Sequence, residues 1–117
     1  MGWPVGELTV REFKQRLDAG ERWLVLDVRQ PPERAHCSIA LPANAVDLHV
    51  PMTELFTSIE EVRKSAGDLP IMVYCREGIR SWNAAMNLSK QGVKGLWSLT
   101  GGIDAWAAEI DPSLPRY

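Results

Sequence analysis

The chain has 117 residues, of which 45% are hydrophobic and 24% are charged, and its formal net charge at pH 7 is −2. This length suits one domain with one core, and the lack of a basic excess argues against nucleic-acid binding. No apolar run approaches the roughly 20 residues of a membrane helix, and the N-terminus lacks a secretory pattern. We therefore expect a cytoplasmic protein with neither a nucleic-acid nor a membrane partner.

The first half of the chain predicts helices on either side of a buried strand. Thr9 and Glu12 form the capping-box pattern that begins a helix. Residues 23–28 are an almost continuous apolar run, which is typical of a strand buried on both faces of a parallel sheet. Prolines in the segment 31–33 suit the first turn of a short helix. Residues 36–51 predict a loop with a short strand.

The second half repeats the alternation of strand and helix. Residues 52–65 predict a helix or a broken helix, and residues 71–74 predict a second buried strand. A helix over residues 82–91 follows, then a third strand over 96–99 and a final helix over 103–110. This alternation predicts an α/β fold, with a parallel sheet of about five strands and helices on both faces.

The segment after the second buried strand carries the candidate site. Cys75 directly follows that strand, and ligands bind at the carboxyl ends of strands in open α/β sheets. Gly78 allows a tight turn whose amides, together with a helix N-terminus, can hold an anion or a thiolate. Arg76 and Arg80 add two positive charges and Glu77 removes one. A lone cysteine is more often a buried, inert side chain, but this position and these charges favour a reactive thiol.

Three segments resemble the rhodanese (thiosulfate sulfurtransferase) family, in the order that the family has them. The loop 75–81, with the sequence CREGIRS, resembles the family's active-site loop. Residues 25–29 resemble its early strand, which ends in Asp-x-Arg, and residues 99–106 resemble its late Gly-Gly-x-x-x-Trp segment. The resemblance implies one rhodanese-like domain over residues 1–117, made of a core of about 8–110 and a C-terminal tail, 111–117.

The resemblance implies a role for each matched residue. Cys75 matches the cysteine that takes a sulfane sulfur and becomes a persulfide. Asp27 and Arg29 match a pair that fixes the strand end near the site, and Ser81 supports the loop. The residues expected to surround the donor and its sulfur are Arg76, Glu77, Gly78, Ile79 and Arg80. No metal or organic cofactor is implied.

The implied activity is sulfur transfer from thiosulfate or a similar donor to cyanide, a small thiol or a protein thiol, including that of a sulfur-carrier protein. A non-catalytic interaction module is an alternative, since folds host many functions. A cysteine-dependent phosphatase or arsenate reductase is another. The related phosphatases carry five residues between cysteine and arginine, whereas four separate Cys75 from Arg80. The shorter loop favours sulfur over phosphate.

The segment 36–51 departs from the family pattern, because both glycines of the family's Gly-His-Ile-Pro-Gly-Ala are missing. The resemblance therefore predicts neither the conformation of this loop nor a role for His36. Cys37 is either a resolving thiol for Cys75 or a structural residue, and the lack of an anion-binding pattern around it favours the structural role. Trp82 either lines the mouth of the site or joins the core, and the sequence favours neither.

Overall fold

The computed structural model describes residues 4–117, so residues 1–3 of the predicted domain, and that part of the N-terminal pattern, lie outside the described residues. Within this range, five strands form one parallel sheet: β1 (Val5–Thr9), β2 (Leu24–Asp27), β3 (Val46–His49), β4 (Ile71–Tyr74) and β5 (Leu96–Thr100). The described helices are α1 (Val10–Asp18), α2 (Pro31–His36), α3 (Ile59–Ala66), α4 (Ile79–Lys90) and α5 (Gly102–Glu109). Two short 3₁₀ turns precede α3.

The predicted α/β architecture is confirmed, with helices on both faces of the sheet. In β4, the side chains of Ile71 and Val73 pack with α3 and α4, whereas those of Met72 and Tyr74 pack with α1 and α5. Each central strand is therefore buried on both faces, which explains its unbroken apolar sequence. None of the helices within residues 4–117 is long and apolar enough to cross a membrane.

Two features differ from the sequence prediction. Strand β1 had no predicted counterpart, because Gly6 interrupts a short segment that gains its stability by pairing with β5. Its glycine is required there, since an added Cβ would lie 2.5 Å from the ring of Trp97. Helix α4 begins at Ile79 rather than at residue 82, because Gly78, with φ of 109°, already ends the turn and caps the helix.

The strand order places a crevice between β2 and β4. The order across the sheet is β1-β5-β4-β2-β3, so the connections leaving β2 and β4 run in opposite directions. Such a switch point opens a cleft at the carboxyl ends of the strands, where ligands bind in this class of fold. Asp27 at the end of β2 is in register with Tyr74 at the end of β4, and Cys75 follows directly. The fold thus puts the predicted cysteine at this cleft.

Candidate active site

The thiol of Cys75 lies inside a turn of backbone amides. Its Sγ accepts hydrogen bonds from Gly78 N at 3.1 Å and from Ser81 N at 3.3 Å. The Ser81 hydroxyl lies 3.5 Å from the sulfur and donates to Gly78 O, 3.1 Å away, or pairs with the hydroxyl of Ser98 at 2.9 Å. Cys75 is 1% exposed. Donors that converge on one atom in this way form the arrangement that holds negative charge.

Hydrogen bonds from the N-terminus of α5 hold this turn in place. Ile103 N donates to Cys75 O and Asp104 N donates to Arg76 O, each at 2.9 Å. Gly102 makes the close approach possible, because an added Cβ would lie 2.5 Å from Cys75 O and nearer still to Arg76 O. With its carbonyls bound on this side, the turn directs its amides toward the sulfur. This contact is the structural reason for the second glycine of the Gly-Gly segment.

Asp27 and Arg29 form a fully buried ion pair at the end of β2. Two nitrogens of the guanidinium, Nε and Nη2, bond the two carboxylate oxygens, both at 2.9 Å. Nη2 also donates to Cys37 O at 2.7 Å, and Nη1 donates to the hydroxyl of Tyr117 at 2.9 Å. Burial by itself lowers the pKa of Arg29, but the hydrogen bonds with Asp27 and Tyr117 and the charge of Asp27 raise this pKa above its usual value. A buried pair this fully satisfied fixes the strand end and the segments bonded to it.

Arg80, which the sequence analysis assigned to donor binding, is paired with Glu33 of α2. Its Nη1 and Nη2 reach the two carboxylate oxygens at 2.7 and 2.8 Å. Hydrogen bonds from Arg80 lower the pKa of Glu33 to about 2, although partial burial opposes the shift. The Tyr117 hydroxyl donates to the same carboxylate at 2.8 Å. Glu33 lies 47 residues from Arg80 and follows no local pattern, so sequence reasoning missed it.

Tyr117 of the C-terminal tail also belongs to the site, and sequence reasoning missed it too. The guanidinium of Arg76 lies 4.8 Å over its ring, within the range of a cation–π interaction. Arg76 Nε is buried and has no hydrogen-bond partner among residues 4–117. Tyr117 therefore supports Arg76 with its ring while its hydroxyl joins Arg29 to Glu33.

A surface cavity of about 310 Å³ is lined in part by Cys75. The side chain of Ile79 is 74% exposed at its rim. Gly78 is not one of the residues that line the cavity, and its amide donates a hydrogen bond to the sulfur of Cys75. The five residues that line the cavity all come from the loop and the first turn of α4: Cys75, Arg76, Glu77, Ile79 and Arg80.

The other residues that sequence analysis weighed have structural surroundings. Cys37 is buried with the hydrophobic cluster that packs α1 and α5, whereas Cys75 belongs to the cluster on the other face of the sheet. His36 contacts the ring of Tyr117 edge-on. Trp82, in the first turn of α4, is partly buried and packs against the core. These placements favour a structural role for Cys37 and a core position for Trp82.

Comparison with known proteins agrees with this fold. The family model for the rhodanese-like domain matches residues 9–109. The chain belongs to the rhodanese-like domain family. A sulfurtransferase of Allochromatium vinosum is 35% identical to it over 103 residues, which are 88% of this chain and 89% of that protein. The crystal structure of a rhodanese-related protein from Thermoplasma volcanium has a TM-score of 0.68 and 28% identity, and the match covers 94% of this chain and 95% of that one.

A longer relative contains a similar segment. The adenylyltransferase and sulfurtransferase MOCS3-1 of Zea mays is 32% identical over 94% of this chain, but the match spans only 23% of that protein. Family membership and a sulfurtransferase that is similar over nearly its whole length together support sulfur transfer by this rhodanese-like domain.

Proposed function

We propose that this rhodanese-like domain moves a sulfane sulfur from thiosulfate or a similar donor to a thiophilic acceptor through a persulfide on Cys75. The observation that carries the proposal is the position of the thiol. Its sulfur accepts hydrogen bonds from Gly78 N and Ser81 N, and Cys75 is one of the residues that line an open cavity. A second sulfur bonded to Cys75 would extend into that cavity, within reach of the same amides.

The reaction proceeds in two displacements. The Cys75 thiolate attacks the outer sulfur of thiosulfate, a new S–S bond forms, and the old S–S bond breaks so that sulfite leaves with the electron pair. The acceptor then attacks the outer sulfur of the persulfide, and Cys75 leaves as the thiolate. The amides of the turn stabilise negative charge on sulfur in both steps. Covalent catalysis of this kind needs no metal or organic cofactor.

The acceptors that we propose are cyanide, a small thiol and a protein thiol, which includes that of a sulfur-carrier protein. The mouth of the cavity is accessible to a large partner, because the side chains of Ile79 and Glu77 that line it are exposed. Both cysteines of the chain are free, which suits action in a reducing compartment such as the cytoplasm.

The proposal is tested by mass spectrometry after exposure to thiosulfate. We expect one added sulfur atom on the peptide that contains Cys75, and its loss, with release of thiocyanate, when cyanide is added. Cys75→Ser should abolish both signals, whereas the matched variant Cys37→Ser should keep them. Equal loss in the two variants would point to a two-thiol redox mechanism. Hydrolysis of an aryl phosphate without any persulfide would favour the phosphatase interpretation instead.

A further inference from the structure

The mouth of the site is close to electrically neutral. The loop supplies the cations Arg76 and Arg80 and the anion Glu77, and the structure adds the carboxylate of Glu33 from α2. The charges of Arg76, Glu77 and Arg80, which line the cavity, and of Glu33, which pairs with Arg80, therefore sum to zero. Thiosulfate carries two negative charges, so a neutral entrance offers it little attraction.

The positive charge of Arg80 is engaged by Glu33. The pair is bidentate: Nη1 and Nη2 of Arg80 each donate to one oxygen of Glu33, at 2.7 and 2.8 Å. Both terminal nitrogens of the guanidinium are therefore engaged by the carboxylate. The side chains of Arg80 and Glu33 are 36% and 19% exposed, so the pair is only partly screened by water. An anion that recruits Arg80 must first displace this carboxylate.

Besides Arg80, two further donors hold the carboxylate of Glu33 in place. One of its oxygens accepts a hydrogen bond from Gln30 N at 3.0 Å, and the other accepts one from Tyr117 at 2.8 Å. Tyr117 is anchored in turn by the buried guanidinium of Arg29. The carboxylate therefore cannot swing away from Arg80 without breaking several bonds to a buried framework.

We propose that Glu33 is a specificity-determining residue, which neutralises Arg80 and so favours a sulfur donor of low charge, an organic persulfide, over dianionic thiosulfate. This inference rests on the proposed function. With a persulfide R–S–SH as donor, the Cys75 thiolate attacks the outer sulfur, a new S–S bond forms, the S–S bond of the donor breaks, and RS⁻ leaves with the electron pair. The product is the Cys75 persulfide, with the proton still on the outer sulfur, so atoms and charge balance.

The test compares two donors, dianionic thiosulfate and a short alkyl persulfide, which carries at most one negative charge. In Glu33→Gln the guanidinium of Arg80 is released, and we expect the KM for thiosulfate to fall about tenfold, as for one charge-assisted contact in a partly exposed site. The KM for the alkyl persulfide should change by about threefold or less, because its charge is at most half that of thiosulfate. The double variant Glu33→Gln, Arg80→Ala should restore the wild-type KM for thiosulfate.

The matched control is Glu109→Gln, which removes an exposed carboxylate paired with Arg11 at the far end of α5. It should leave both KM values unchanged. Glu33→Asp keeps the negative charge, and it should keep the wild-type donor preference even if it is less stable than Glu33→Gln. Urea unfolding of every variant separates a loss of folded protein from a change in preference.

Three outcomes would overturn the inference. They are an unchanged KM for thiosulfate in folded Glu33→Gln, an equal change for both donors, and a donor preference in Glu33→Asp that matches the Gln variant. Each would leave the proposed function intact as long as wild-type Cys75 acquires sulfur. If neither donor placed sulfur on wild-type Cys75, the proposed function would fail, and this inference with it.

Discussion

Replacing Gly102 with Ala should damage the active-site turn more than it damages the rest of the fold. Gly102 has φ of 59°, and its Cα faces the carbonyl groups of Cys75 and Arg76 so closely that a Cβ would lie 2.5 Å from Cys75 O. The new methyl group cannot be accommodated by moving a flexible side chain, because its neighbours are backbone atoms. Either the turn or the start of α5 must shift.

The cost follows from three contributions. An alanine with positive φ costs about 1 kcal/mol. Overpacking against rigid neighbours adds about 1–3 kcal/mol. The shift also weakens two backbone hydrogen bonds, from Ile103 N and Asp104 N to the carbonyls of the turn, each worth about 1 kcal/mol. We therefore expect Gly102→Ala to lower the free energy of unfolding by about 3–5 kcal/mol, which a domain of ordinary stability survives.

Gly20→Ala is the matched control. Gly20 also has a positive φ, 87°, but nothing lies within 4 Å of an added Cβ. It should lose only the conformational contribution, about 1 kcal/mol. Urea unfolding measures both variants. Stopped-flow measurement of persulfide formation should show a loss of about a hundredfold in Gly102→Ala, because misplacing the amides by about 1 Å has that effect, and no loss in Gly20→Ala.

The prediction has a clear contrary result. If Gly102→Ala were no less stable than Gly20→Ala and formed the persulfide at the wild-type rate, the N-terminus of α5 would not hold the turn. The amides around Cys75 would then owe their direction to the turn itself.

Three further predictions concern the ion pairs around the site. Arg29→Lys keeps the charge but loses the bidentate contact with Asp27, so the free energy of unfolding in urea should fall by about 2–4 kcal/mol. A fall of less than about 1 kcal/mol would contradict the structural role of the pair. The lowered pKa of Glu33 stabilises the protein above the unfolded value of 4.5, and this benefit disappears as the pH falls toward about 2. The stability difference between wild type and Glu33→Gln, about 1–2 kcal/mol at pH 7 after allowing for the exposure of Arg80, should therefore shrink across this range, and a constant difference would refute the linkage. Tyr117→Phe removes the hydroxyl that joins Arg29 to Glu33 and should cost about 1–2 kcal/mol in the same assay, whereas unchanged stability would mean that water replaces it fully.

The parts of the protein that depend on neighbouring residues could be predicted from the sequence. The capping box at the start of α1 is present, with Thr9 and Glu12 bonding each other's backbone at 3.2 and 2.9 Å. The turn from Cys75 to Ser81 is contiguous, so its strand end, its glycine and its helix start can be read in one short segment. Apolar runs likewise predicted β2 and β4, because a strand that is buried on both faces needs apolar residues at almost every position.

The partners of the charged side chains were decided only by the tertiary structure. Arg80 looks like a free anion-binding group in the sequence, yet folding places Glu33, from 47 residues earlier, against it. Tyr117 reaches Arg29 across 88 residues for the same kind of reason. The sequence determines which side chains are charged or polar. Their pairing depends on which strand ends meet at the edge of the sheet, and that is set by the strand order and packing of the whole domain, which no local pattern encodes.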